Sequence, residues 1–337
     1  MRRVAVVLAV LAAVGCAAGN GRAANFDSWL AEFRAEAAGK GISPATLDAA
    51  LSGLRPLKKV LNRDRKQPEF KLTFETYSAR LLKPVNIERG RAMMAEHAGL
   101  LRRVSDRYGV QPRFIVAIWG IETRYGAIRG STEIVPALAT LAFDRRRSRF
   151  FRAQLLDALR MVDKGYIELA DMKGSWAGAM GHPQFIPSSY LAFAQDFDGD
   201  GRRDIWNNLG DVFASIANYL HRQGWSNART WGRGARVPKT VRQAYDSMLA
   251  GEAKGCRALW QATKPRRLGE WQAAGLRRLS GSALPAVKLD ARLLMPDGAG
   301  GKAFLVYRNY ESLLRYNCSN LYALTVGLLS DAVGGRR

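Results

Sequence analysis

Between Asp196 and Asn207 the chain reads Asp-Phe-Asp-Gly-Asp-Gly-Arg-Arg-Asp-Ile-Trp-Asn, and no other segment restricts the fold as tightly. Carboxylates stand at loop positions one, three, five and nine, with Gly201 at six. This is the arrangement that a hard, oxygen-seeking cation such as calcium requires. The twelfth position departs from it: Asn207 replaces the usual bidentate glutamate, and Asp211 on the following helix is the substitute within reach. A solvated acidic turn is the plainer alternative. The charge balance weighs against that alternative, because 52 Lys and Arg face 29 Asp and Glu, a formal charge of +23. Acids crowded into one loop of so basic a chain call for a counterion.

The same charge points to an acidic polymer or surface as partner, with nucleic acid and the carboxylate-bearing bacterial cell wall as candidates. Location separates them. Arg2 and Arg3, an apolar run from Val4 to Val14 that is too short to span a bilayer, and small residues through Ala18 read as an export signal over residues 1–24. Val14-Gly15-Cys16 resembles the end of a lipoprotein signal, which would put a lipid anchor on Cys16, but Ala13 stands where leucine is usual. Ordinary cleavage after Ala18 or Ala23 is the other route. An exported chain rarely meets nucleic acid, and no basic-aromatic recognition motif is present, so no nucleic-acid partner is expected.

In an oxidising compartment Cys256 and Cys318 are either a disulfide or two unpaired small hydrophobes. His97, His182 and His221 are not at metal-ligand spacing, which argues against zinc, and no Gly-x-Ser-x-Gly elbow supports a serine nucleophile. A chain of 337 residues with 47% hydrophobic residues, including 8 Trp, 13 Phe and 11 Tyr, is not disordered and divides into two or three packed units.

Helical periodicity dominates residues 25–108. Phe26, Trp29, Leu30 and Phe33 share a face, Ser43-Pro44 caps a helix, and residues 86–108 read as one long amphipathic helix stopped by Gly109. Pro112 opens a helix to about Tyr125, and residues 145–166 form another with Phe150, Phe151, Leu155, Leu159 and Val162 on its apolar side. From Arg229 to Ala303, strand-like pieces at 235–237, 278–280 and 286–289 alternate with Gly and Pro, a small basic insert. Residues 310–333 return to a helical pattern.

Two segments carry chemistry. Along Phe114 to Gly126, Ile115, Ile118, Trp119 and Glu122 fall on one helix face, so a carboxyl ends an apolar stripe. Burial keeps such a group protonated near neutral pH, ready to protonate a leaving oxygen as glycosidic cleavage requires; the alternative is a Glu122 paired with Arg124 or another arginine. In residues 174–190, small residues around Trp176 and Met180 let a ligand approach the backbone. Ser175, Gln184 and Tyr190 offer neutral hydrogen-bonding groups beside aromatic faces, a setting for a sugar or a tight structural loop.

With the Ile-Glu-Thr-x-Tyr-Gly run, the Gly-Ala-Met-Gly-His-x-Gln-Phe-Ile-Pro-Ser-Ser-Tyr run, the acidic loop and Arg315-Tyr316-Asn317-Cys318-Ser319-Asn320-Leu321-Tyr322-Ala323-Leu324 in this order, the chain resembles the membrane-bound lytic murein transglycosylase B family. The resemblance implies a mainly α (α+β) protein. Its lysozyme-like helical catalytic core (109–227) would carry an EF-hand-like calcium loop, flanked by a helical N-terminal domain (25–108) and a small basic β-containing domain (228–305). A C-terminal helix (306–337) would return to the core.

It further implies cleavage of the MurNAc-GlcNAc β-1,4 bond of peptidoglycan with formation of 1,6-anhydro-MurNAc. Glu122 matches the catalytic acid, Ser175, Gln184, Phe185, Tyr316, Asn317 and Tyr322 match the sugar cleft, and Tyr190 is added to that cleft from the residue reading. Asp196, Asp198, Asp200, the Arg202 carbonyl and Asp211 are the expected calcium ligands; no organic cofactor is expected. A hydrolytic muramidase and a non-catalytic wall-binding scaffold are the competing readings. The expected setting is a monomer in the periplasm of a Gram-negative bacterium, soluble or held at the outer membrane through Cys16.

Overall fold

In the computed structural model, which describes residues 25–65, 72–144, 147–251 and 256–335, helices start where capping chemistry starts them. Asn25 caps α1 (Phe26–Gly39), and Ser43 caps α2 (Pro44–Leu51), whose Pro44 fills a first-turn position that needs no amide donor. Then follow α3 (Lys58–Arg65), α4 (Phe74–Leu81), α5 (Pro84–Glu96) and α6 (Ala98–Tyr108). The export signal and Cys16 lie outside the described residues.

The single helix expected over 86–108 is two, α5 and α6, joined at His97 with φ −101° and ψ 20°. The hydrogen bonds run on through the joint, His97 N to Met93 O and Leu101 N to His97 O. The His97 ring turns inward against Trp119 (6.0 Å) and Phe213 (5.7 Å), a tertiary contact that no periodicity announces.

The centre of the molecule is α7 (Pro112–Thr123), buried from Arg113 through Gly120. Around it pack α5, α6, α11 (Leu209–Arg222) and α15 (Asn320–Val333), forming one apolar core. A second core joins α1 to α3 with α8 (Ile134–Phe143), α9 (Ser148–Asp163) and α10 (Pro187–Phe193). The helices of residues 25–65 and 74–108 therefore contribute to different cores. Because α8 is apolar on every side and buried, no amphipathic stripe marked it. On α9, Phe151 is buried, while Phe150, expected on the apolar side, is exposed. A two-residue ribbon pairs β1 (Thr132–Glu133) with β2 (Lys173–Gly174).

The insert holds an antiparallel sheet in the order β4-β6-β7-β3-β5, from β3 (Gly232–Arg236), β4 (Arg266–Arg267), β5 (Arg277–Arg278), β6 (Asp290–Leu294) and β7 (Phe304–Val306). The small helices α12 (Lys239–Gln243) and α13 (Leu268–Ala273) lie between strands. Two expected strands shift: residues 286–289 stay irregular and pairing begins at Asp290, and the segment at 278–280 forms strand only to Arg278 before turning. The helical return at 310–333 is broken into α14 (Arg308–Tyr316) and α15 by the bend at residues 317–319. That bend carries Cys318, bonded to Cys256 with 5.5 Å between Cα atoms. The architecture is mainly α with one small sheet.

Trp231 fastens the insert to the helical body. Its indole is fully buried, donates to Asp331 Oδ2 (2.9 Å), and lies flat on Gly327 of α15, where a Cβ would overlap the ring. Asp331 is in turn held by Arg113 of α7. Gly327→Ala is expected to lower unfolding free energy by about 1–3 kcal/mol through overpacking. Urea titration monitored by tryptophan fluorescence measures it, and an unchanged midpoint would contradict this packing.

Candidate active site

Glu122 stands in the last turn of α7. Beyond it the chain reverses sharply: Arg124 (φ 52°) and Tyr125 (φ 58°) take left-handed conformations, a cost that glycine would avoid. Tyr125 folds back so that its ring meets Trp119 at 5.7 Å and its hydroxyl donates to Asn86 O (2.9 Å). Gly120 makes room for that ring, since a Cβ there would come within 2.6 Å of it.

Burial of the Glu122 carboxyl pushes its pKa from 4.5 up to about 7, and the Tyr322 hydroxyl beside it holds back part of that rise. The side chain keeps a partly open edge. No lysine or arginine among the described residues forms an ion pair with it, so the alternative of a Glu122–Arg124 pair is not what the structure holds. Among the described residues the Tyr322 hydroxyl is the one buried side-chain polar atom without a hydrogen bond of standard geometry. A donor in that state next to a carboxyl is poised to bond whichever oxygen arrives.

Aromatic rings wall the site. Tyr316 lies nearly parallel to Tyr322 (6.3 Å) and meets Tyr219 (4.7 Å) and Phe185 (5.8 Å); its hydroxyl donates to Pro183 O (2.7 Å). Phe185 is 2% exposed, so it supports this wall more than it faces a ligand. Asn317 is exposed in the bend between α14 and α15, next to the disulfide-bonded Cys318, and its backbone amide donates to Leu313 O (3.1 Å).

Residues 174–185 form a tight double turn. Ser175 Oγ accepts from Ala177 N (3.3 Å) and Ala179 N (3.0 Å), and Met180 and Phe185 exchange backbone hydrogen bonds. Gln184 is left-handed (φ 52°), and its amide nitrogen donates to Gly181 O (2.8 Å) and Arg129 O (3.2 Å). Tyr190 is a correction. Expected at the sugar cleft, it is fully buried in the second core, and its hydroxyl donates to Arg203 O (3.0 Å).

Spacing puts Trp119 on the face of Glu122 but does not show its pairing with His182, and it marks Tyr219 not at all. Trp119 Nε1 donates to His182 Nδ1 at 2.7 Å, linking the catalytic-candidate helix to the glycine-rich turn. Burial lowers the His182 pKa to about 4, so the ring is a neutral acceptor at physiological pH. The position of His182 inside the Gly-His-Pro run was the only hint of this.

In the acidic loop, oxygens of Asp196, Asp198 and Asp211 converge within 4.8 Å. Asp211, fully buried in the first turn of α11, accepts from Phe197 N and Asp204 N, both at 2.7 Å. Asp196 accepts from Gly199 N (2.7 Å) and Gly201 N (2.9 Å), turning the loop around itself. Burial first, and then the charges of Asp198 and Asp196, raise the Asp211 pKa to about 6. A divalent cation would relieve that repulsion, and an all-oxygen donor set fits calcium. Asp200 stands outside the converging trio, its carboxylate occupied by Arg202 N at 2.8 Å. Asp204 caps the turn at Trp206 and Asn207.

The family description "Transglycosylase SLT domain" matches residues 25–331. The chain belongs to this family. Its relatives include membrane-bound lytic murein transglycosylase B of Escherichia coli K12, 33% identical over 264 residues. That match covers 76% of this chain and 66% of the relative, so the chain spans a little under two thirds of the relative's length. SltB3 of Pseudomonas aeruginosa, solved with NAG-anhNAM-pentapeptide, superposes with a TM-score of 0.83 at 41% identity, covering 93% of this chain and 80% of that one. Escherichia coli Slt35, solved in complex with calcium, superposes at 0.74 with 30% identity, covering 90% and 92%. The fold is thus that of the lysozyme-like lytic transglycosylases.

A carboxyl whose pKa is higher folded than unfolded binds its proton more tightly when folded, so stability is lost as pH rises from about 4.5 to about 7. Replacing Glu122 by Gln removes that loss. Glu122→Gln is expected to be more stable than the parent at pH 8 by roughly 1–3 kcal/mol, with the difference vanishing near pH 4. Urea titrations at the two pH values measure it; an equal difference at both would show that Glu122 ionises normally.

Proposed function

We propose that the protein is a lytic transglycosylase that cleaves the MurNAc-GlcNAc β-1,4 bond of peptidoglycan and leaves 1,6-anhydro-MurNAc. One observation carries this reading: a carboxyl with a pKa near 7 stands at the site with no second carboxylate among the groups that perturb it. Retaining and inverting hydrolases usually need a pair. A single group must therefore serve twice.

Protonated Glu122 first gives its proton to the glycosidic oxygen, and the C–O bond to the anomeric carbon breaks. The substrate's own N-acetyl group stabilises the positive anomeric carbon. Glu122, now ionised, takes the proton of the MurNAc 6-hydroxyl, whose oxygen closes on the anomeric carbon and restores the acid. Protons balance over the cycle and water is not consumed. Ser175, Gln184, Asn317 and Tyr316 orient the sugar, and the Tyr322 hydroxyl bonds the carboxylate while it is ionised. The pentapeptide-bearing ligand of SltB3 supports a wall substrate for this chain.

Asp196, Asp198 and Asp211 hold calcium in this proposal, with Asp200 and the Arg202 carbonyl as further donors. Bound there, calcium would offset part of the negative charge these residues bring together and hold the loop that backs the glycine-rich turn. The protein acts as a monomer in the periplasm of a Gram-negative bacterium, with or without lipid on Cys16. The core for catalysis is residues 109–227 together with 306–337.

Digests of isolated sacculi by the mature protein are expected to contain anhydro-muropeptides, lighter by one water than muramidase products in mass spectrometry. Reducing MurNAc ends would establish the hydrolytic alternative, and binding without release the scaffold. Glu122→Gln is expected to lose at least about a hundredfold in rate, and the parent's rate to fall as pH rises through about 7, because the first step needs the protonated acid. Chelation with EGTA is expected to lower the melting temperature, with recovery on adding calcium; an unmoved transition would remove the structural role of the ion.

A further inference from the structure

A cavity of about 270 Å³ lies where the sheet meets α14, away from Glu122. Its wall includes the buried Tyr307 and Tyr310 and the insert residue Leu259. The frame around it is cross-linked. Tyr310 donates to Asn320 (2.8 Å), Asn320 donates to Ala258 O and Gln261 (both 2.8 Å), and Cys256–Cys318 ties the same two segments.

The charge lining this cavity is strongly biased. Arg267 pairs with Asp290 at 3.2 Å and Arg292 with Glu311 at 3.5 Å, which accounts for both acids of the lining. Arg229, Lys288 and Arg308 remain, exposed and with no acidic partner among the described residues. Three uncompensated cations in one concavity attract an anion with more than one negative group, or a chain of them.

The position selects the anion. Arg308 of the cavity lining begins α14 and Tyr316 of the aromatic wall ends it, roughly 12 Å apart along the helix axis. Glu311 stands between Arg308 and the exposed Arg315 on this helix, and Arg292 holds its carboxylate. A ligand that occupies the cleft and also carries carboxylates on side branches could reach both. We propose that this cavity is an accessory site for the carboxylates of peptidoglycan stem peptides, engaging the peptide of a strand whose sugar lies at Glu122. The proposal rests on the wall-cleaving function above and adds a second point of contact for the substrate's peptide branch.

The test uses binding by the Glu122→Gln protein, so cleavage does not enter, and probes it with a soluble stem peptide released from the wall, with glycan stripped of peptide, and with inorganic phosphate. The stem peptide is expected to bind, and the double variant Lys288→Glu, Arg308→Glu to bind it about tenfold more weakly, with a melting temperature near the parent's and unchanged binding of stripped glycan. Lys288→Arg should retain the parent's affinity. Equal stem-peptide affinity in the parent and the reversed variant, or no binding by the parent, overturns the proposal. Phosphate binding that the variant abolishes while stem peptide is ignored assigns the cavity to phosphate-bearing polymers instead and overturns it too. Anhydro-muropeptide formation by the active parent tests the underlying function separately.

Discussion

The desolvation of one carboxyl organises this molecule. An ionised Glu122 in the interior would cost several kcal/mol if nothing relaxed around it, so the group holds its proton to an unusually high pH. Keeping it there requires a helix that is buried on nearly every side, and α7 is buried because α5, α6, α11 and α15 surround it. The aromatic wall of Tyr316, Tyr322, Tyr219 and Phe185 completes the dry setting while leaving one edge open. The chemistry and the core are the same set of contacts seen from two sides.

Such a site is only as good as the ends of the elements that form it. Glu122 sits two residues before a reversal that places Arg124 and Tyr125 in left-handed conformations, with Tyr125 packing back over Gly120. Tyr316 and Tyr322 come from two helices separated by a bend that is tied to the insert through Cys318 and Asn320. His182 connects α7 to the glycine-rich turn, which in turn rests on the acidic loop through its backbone bond to Ile205 O (2.9 Å). The acidic loop and the helix that carries Glu122 are therefore joined by a chain of direct contacts through His182.

The basic insert has a place in this scheme beyond filling space. Trp231 and the disulfide join it to α14 and α15, and its cations, with Arg308 of α14, line a cavity that shares a helix with the aromatic wall. The net charge of +23 attracts an acidic polymer, and the join to the helical body gives part of that charge a defined position.

Local chemistry already determined much of this: the cap at Ser43, the start of α7 at Pro112, the acidic loop with Asp211 as its late carboxylate, and a glutamate at the end of an apolar stripe. These depend on neighbours within a turn or a loop, which spacing alone can report. Tertiary contacts decided the rest. The bend at His97 exists because its ring enters a cluster from other helices; α8 escaped notice because burial on all sides leaves no periodicity; and Tyr190, polar and aromatic like a cleft residue, is held in the core by a carbonyl thirteen residues on in the chain. The sequence could place Glu122 on an apolar face, but only packing from residues 200 positions away, Tyr322 among them, sets how tightly it keeps its proton. Desolvation is a property of everything around a group, and the chain order does not contain it.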